Sequence, residues 1–289
     1  MMRTLLALVA VVALVAGCST KKPVVPADQL WKQANEYYDT EAWELAIERY
    51  KLLLDQHPFD ENAEEAERRI AYSYYMAHRY PEAIAAFGDF ERMHPTSEHL
   101  PFIEYHLGLS YLSQATTADR DQQSANNANT YFRNLIDRFP TSPWAERARL
   151  RMRETREMLA GHESGIALYY VRHRNISAAE TRLGMLLREY PETNATAELL
   201  DAFAGIYDRR EEPDGARLAR ATLIQQHPDG PLAAEARTKL GPDGPPPGDA
   251  LPMLLAHLDA MRAKADRKEL PRTVSAYPDN GAAQTPGQY

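Results

Sequence analysis

The stretch Ala34-Asn-Glu-Tyr37, followed by Ala46 and then Leu54-Asp-Gln-His-Pro58, recurs along the chain and decides the fold. Its closing phrase returns as Glu91-Arg-Met-His-Pro95, Ile136-Asp-Arg-Phe-Pro140, Leu187-Arg-Glu-Tyr-Pro191 and Ile224-Gln-Gln-His-Pro228. Twelve residues before each proline stands an alanine: Ala46, Ala83, Ala128, Ala179 and Ala216. Twenty-one residues before it stands Tyr37, Tyr74, Tyr170 or Tyr207, and three residues before each of these tyrosines stands Ala34, Ala71, Ala167 or Ala204. The third copy keeps the pair as Gly108 and Tyr111, inserts eight residues and rejoins the frame at Ala128. The physical reading is a helix–turn–helix in which small residues let two antiparallel backbones approach and proline stops the second helix. One pair cannot bury its own apolar stripe, so neighbouring pairs must stack.

The Ala…Tyr…Ala…Tyr/Phe…Pro pattern resembles the tetratricopeptide (TPR) repeat over residues 28–240. That resemblance implies an all-α, TPR-like α-solenoid of five helix-turn-helix repeats, at about 28–62, 63–99, 100–143, 144–194 and 195–240. The undisturbed period is 37 residues, so the connection between pairs is longer than the family norm. Between Pro140 and Pro191 the spacing grows to 51 residues. The excess of 14 residues is close to four helical turns, which predicts one long helix from Pro143 toward Tyr170. Its Arg147, Arg149, Arg151, Arg153 and Arg156 read as a solvated face.

The chain begins with Arg3 and the uninterrupted apolar run Leu5 to Val15, too short for a permanent transmembrane helix. Val15-Ala16-Gly17-Cys18 resembles the bacterial lipobox, and Cys18 is the sole cysteine among 289 residues. Residues 1–17 are thus expected to be a lipoprotein signal peptide, with Cys18 lipidated and residues 18–27 forming the acylated N-terminus and tether. Three acyl chains would hold the protein at the membrane, since a single one gives only marginal binding. By resemblance to Gram-negative lipoproteins, Ser19 is compatible with transport to the outer membrane and a position on its periplasmic face. One cysteine also excludes an internal disulfide and a cysteine-rich metal site.

Residues 241–289 are rich in Pro and Gly and read as a mostly unfolded tail. Within it Leu251, Leu254, Leu255, Leu258, Met261 and Ala265 recur at helical spacing, predicting a helix over 251–268 that either docks a partner or caps the fold. A net charge of −8 argues against nucleic acid as a partner.

No His-Glu-x-x-His, phosphate-cradling glycine loop or nucleophile elbow occurs, so no catalytic residue, metal ligand or cofactor is expected and the chain reads as a binding protein. His57, His94 and His227 share one repeat position before the closing proline, where a polar helix-end residue is expected. If TPR positions transfer, the first helices of the first three repeats present Trp31, Asn35, Tyr38, Arg68, Tyr72, Tyr75 and Tyr105 to a groove suited to an extended peptide with aromatic side chains and a terminal carboxylate. Each of those tyrosines reads equally as core.

Particular phrases narrow the resemblance: Ala42-Trp-Glu-Leu-Ala-Ile-Glu-Arg-Tyr50, Tyr80-Pro-Glu-Ala-Ile-Ala-Ala-Phe87, and Asp119-Arg-Asp121 leading into Tyr131-Phe-Arg-Asn-Leu-Ile-Asp-Arg-Phe-Pro140. With the lipobox and five repeats, they make the chain similar to the BamD family, lipoproteins of the outer-membrane β-barrel assembly (BAM) machinery. The resemblance implies a scaffold that binds the POTRA-bearing barrel protein BamA, joins other BAM lipoproteins and receives the C-terminal segments of unfolded outer-membrane proteins. Arg182, nine residues before Pro191, matches the family arginine placed toward the last POTRA domain. The tail and the short insertion depart from the family pattern. Two other readings stand beside it: a pilotin-like TPR lipoprotein guiding a secretin, and a cell-wall enzyme using the array as a lid.

Overall fold

The computed structural model describes residues 24–115, 122–241, 244 and 248–269. Cys18 and its lipobox, the Asp119-Arg-Asp121 insertion and residues 270–289 lie outside the described residues. Among the described residues the structure is all α, with helices and no strand. In chain order these are α1 (Ala27–Asp39), α2 (Trp43–Gln56), α3 (Ala63–Met76), α4 (Tyr80–Met93), α5 (Leu100–Ala115) and α6 (Gln123–Arg138). They continue as α7 (Pro143–Arg172), α8 (Ile176–Glu189), α9 (Asn194–Arg209), α10 (Pro213–Gln226), α11 (Pro231–Leu240) and α12 (Ala250–Glu269). The long helix expected from the 51-residue spacing is α7, 30 residues without a break.

Two compact units divide the chain at Ala148 and Arg149, so α7 gives its first turns to one and the remainder to the other. In the first unit α1 packs on α2, α3 on α4 and α5 on α6, with α2 against α3 and α4 against α5 joining the pairs. The alanines that mark the repeat are where the backbones meet: Ala34, Ala46, Ala71 and Ala83 have no exposed surface. Gly108 stands where the other repeats carry alanine, because the ring of Phe132 lies on its Cα and a Cβ there would come within 2.5 Å of it. Eight residues before the proline, Tyr50, Phe87 and Phe132 fill the space between helices, each burial contributing roughly 1.5–3 kcal/mol.

Each second helix stops in the same way. His57, His94, Phe139, Tyr190 and His227 donate their N–H to the carbonyl four residues back, and the proline that follows has no N–H with which to continue. The histidine rings then tie the helix end to a preceding segment: His57 Nε2 lies 2.7 Å from the Val25 carbonyl, His94 Nε2 2.5 Å from Glu67, and His227 Nε2 3.0 Å from the Pro191 carbonyl. Inside the pairs, the turn between helices passes through Glu41, His78, Arg174 and Glu211, all seventeen residues before their proline and all with φ near +60°. No glycine marks this left-handed position, which costs an ordinary residue about 1–2 kcal/mol.

In the second unit α8, α9 and α10 repeat the arrangement, and Ala160 and Ala167 of α7 join Ala179 and Leu183 of α8 in one core. The N-terminus of α9 is held by Glu157, whose carboxylate accepts from the N–H groups of Asn194 and Ala195 at 2.9 and 2.8 Å. Helix α12 folds back onto α8 and α10 and buries Ala250, Leu254 and Leu258. The helix read in the tail is therefore a cap on its own fold.

Candidate functional site

The aromatic residues of the first unit make one connected face, built from α1, α2, α3, α5 and the start of α7. Tyr38 of α1 stands 6.2 Å from Tyr72 of α3, ring centroid to ring centroid, and both meet Trp43 at 5.4 and 6.3 Å. Tyr72 continues to Phe102 at 5.5 Å and His106 at 5.2 Å on α5, and Phe102 to Trp144 on α7 at 5.2 Å. Trp31 closes the other end against Tyr50 at 5.6 Å. These tilted and edge-on contacts suit the aromatic quadrupole, which disfavours face-to-face stacking.

Three guanidinium groups lie over this face. Arg68 is 4.9 Å from the Phe102 centroid, Arg69 4.8 Å from Tyr38 and 5.4 Å from Trp31, and Arg147 4.7 Å from Trp144. Arg68 and Arg69 share one carboxylate, Glu65, with Nε–O distances of 2.7 and 2.6 Å. Burial pushes the Glu65 carboxyl upward, but the hydrogen bonds from the two arginines outweigh it and hold the group below its usual range. Arg69 also donates to Asn35 Oδ1 at 3.0 Å, and the Tyr50 hydroxyl donates to the same oxygen at 2.5 Å.

Burial pushes the Tyr38 hydroxyl up to about 12 and the His106 imidazole down to about 4, so both are neutral across the physiological range. The rings are thus uncharged, and the charges set upon them are three guanidinium groups and the Glu65 carboxylate that pairs with two of these. Such a surface can hold aromatic side chains by stacking and a carboxylate by bidentate hydrogen bonds.

Of the seven residues taken from the sequence, Trp31, Asn35, Tyr38, Arg68, Tyr72 and Tyr75 remain partly exposed along this face. Tyr105 is different. Only 7% exposed, it packs between Phe132 and Trp144 and belongs to the core beneath the face. The sequence reading missed Arg69, Phe102 and Trp144 on the face, whereas His106, 6% exposed, lies beneath it with Tyr105. The spacing of Phe102 and His106, four residues apart and flanking Tyr105, was the available signal.

In the second unit Arg182 on α8 donates from Nη1 to Glu163 Oε2 on α7 at 2.8 Å, and its side chain is partly exposed. Of the long-helix arginines, Arg151 pairs with Glu154, while Arg156 pairs with Glu192 and lies over Tyr190. Among the described residues no group of three or more His, Cys, Asp or Glu is placed to hold a metal ion, and no helix is long and apolar enough to cross a membrane.

Comparison with known proteins gives a consistent result. The family described as outer membrane lipoprotein (YfiO) matches residues 23–223. The outer membrane protein assembly factor BamD of Vibrio cholerae is 30% identical over 229 residues, covering 75% of this chain and 95% of that protein. The BamD of Xylella fastidiosa is 29% identical, with 78% and 82% covered, and that of Caulobacter vibrioides is 26% identical over 277 residues, with 93% and 88% covered. The match to the family extends over both units, from the tether through α10, and the chain belongs to the BamD family of outer-membrane lipoproteins.

Proposed function

We propose that this chain is an outer-membrane-anchored scaffold of the BAM complex, held on the periplasmic face by lipid at Cys18. Its second unit binds the POTRA-bearing protein BamA through the surface around Arg182, and other BAM lipoproteins complete the assembly. The aromatic–arginine face of the first unit receives the C-terminal segments of unfolded barrel proteins. Membership of the BamD family carries the first part of this reading. The second part is supported by Arg68 and Arg69, held together on the Glu65 carboxylate among partly exposed aromatic rings, two guanidinium groups that a client's terminal carboxylate would engage by displacing Glu65.

The test is to tag the C-terminus, solubilise membranes in mild detergent and identify what co-purifies by mass spectrometry. A POTRA-bearing barrel protein in stoichiometric yield is the expected result, whereas a secretin in its place would overturn the assignment. In the same preparation Arg182→Ala should weaken the complex by about 2 kcal/mol, the low end for a charge pair because Arg182 already has Glu163 and stays partly exposed.

A further inference from the structure

Phe59 is 99% exposed in the turn between α2 and α3, and Val24 is 69% exposed. A pair of hydrogen bonds puts them at one corner of the first unit. The Val25 N–H donates to Gln56 Oε1 at 2.8 Å and its carbonyl faces His57 Nε2 at 2.7 Å, so the approach to α1 is fastened to the end of α2 from which Pro58 and Phe59 project. The internal repeats supply the comparison. The residue after the closing proline is Thr96, Thr141, Glu192 or Asp229 in the other four copies, and only the first copy carries an apolar side chain there. A single exposed ring is ordinary by itself, but here it stands where four equivalent positions are polar. That copy is also the one nearest Cys18, which precedes Val24 by six residues. Six extended residues reach at most about 22 Å.

We propose that Phe59, with Val24 at the same corner of the first unit, enters the membrane interface as a second contact next to the acyl chains, a lipid surface being the partner. Acyl chains on a short tether hold the protein at the bilayer but leave the folded body free to turn. An apolar contact on the body itself, fixed to the tether through Val25, restricts that rotation and sets which side of the first repeat faces the lipid. The inference rests on lipid attachment at Cys18. Asp60 and Glu61 follow Phe59. The Asp60 carboxylate accepts from the N–H and side-chain amide of Asn62 at 2.9 and 3.0 Å and keeps its charge, so Asp60 and Glu61 together disfavour anionic headgroups and suit a zwitterionic surface.

Acylation of Cys18 consumes the only native thiol, so Phe59→Cys in the lipidated protein supplies one site for a fluorophore, and Thr96→Cys supplies the matched site in the second repeat. Both are reconstituted in zwitterionic phosphatidylethanolamine–phosphatidylcholine vesicles containing doxyl-labelled lipid, and both positions lie in turns where the change leaves the core intact. The expected result is quenching of the probe at 59 by roughly half and at 96 by less than about a tenth, with a blue-shifted emission only at 59. Equal weak quenching at both positions, with the Cys18 peptide triacylated by mass spectrometry, overturns the contact and leaves the anchor intact. Protection at 59 that appears only when other proteins are added, without quenching by lipid, overturns it in favour of a protein partner. An unacylated Cys18 overturns the lipoprotein reading and this inference with it.

Discussion

Glu104 is a carboxyl with no exposed surface, set on α5 beside Arg138 of α6 and within reach of Glu91 on α4 through the same guanidinium. Burial raises its pKa from 4.5 to about 7, more than Arg138 pulls it down, and Glu91 adds to the rise. The folded protein therefore binds this proton more tightly than the unfolded chain. Stability from this group is full below about pH 4.5 and is lost as pH climbs through about 7, a change of about 3 kcal/mol. Glu104→Gln keeps the shape and removes the charge, so the urea midpoint of the wild type should fall relative to the variant between pH 5 and pH 8. Parallel curves for the two proteins would show that Glu104 stays ionised beside Arg138 throughout. Glu65 offers a second test at this scale, since it occupies the two arginines that a client carboxylate would need. Glu65→Gln should tighten binding of a peptide with a free C-terminal carboxylate by several-fold, roughly 1 kcal/mol, and leave the amidated peptide unchanged. Equal effects on the two peptides, read by fluorescence anisotropy, would remove the carboxylate from the recognition.

Among the elements, α12 shows what the repeat leaves open. Gly184 and Gly215 allow its approach: a Cβ on Gly184 would meet Leu258 at 3.7 Å, and one on Gly215 would meet Tyr207 and His257 at 3.0 and 3.1 Å. Gln225 fixes its start, accepting from the Ala250 N–H at 2.8 Å and donating to the Gly248 carbonyl at 3.0 Å. In the first unit α2 carries Lys51 at the repeat position of Gly184 and α4 carries Glu82 at that of Gly215, and there the space between α2 and α4 is a cavity of about 410 Å³ over Ile70 and Tyr74. Gly215→Val should push α12 off α10, costing about 1–3 kcal/mol and speeding hydrogen exchange in α8, α10 and α12 while α1 to α6 stay unchanged. Unaltered exchange would mean that α12 contributes little to the unit. The alanines and prolines made the helix pairs legible because each acts locally, one through size and the other through its missing N–H. The left-handed turn at Glu41, His78, Arg174 and Glu211 was not legible, since no glycine announces it. Nor was the choice between capping and docking for α12, because Leu254 and Leu258 have the same spacing in either role. Tyr105 and Tyr72 likewise share a residue type, and only packing against Phe132 and Trp144 sends the first inward.

On the scale of the whole chain, the two candidate surfaces fall in different compact units. The aromatic–arginine face lies within residues 27–148, and Arg182 with Glu163 lies beyond Arg149. Mutations far apart with no shared partner add independently, whereas those within one network couple. If client binding and BamA binding belong to separate units, Tyr72→Ala together with Trp31→Ala should weaken binding of a barrel-protein C-terminal peptide at least about tenfold without altering recovery of BamA. Arg182→Glu should do the reverse, because it sets two carboxylates together at the partner surface and repels the acid that Arg182 would otherwise meet. Circular dichroism melts control for folding, as Tyr72 and Trp31 are only partly buried and their loss should leave each unit helical. Combining all three substitutions should give the product of the separate effects. A triple variant whose peptide binding is much worse than the pair, or whose BamA recovery falls further than with Arg182→Glu alone, would reveal coupling between the units and make α7, the one helix that enters both, the next element to alter.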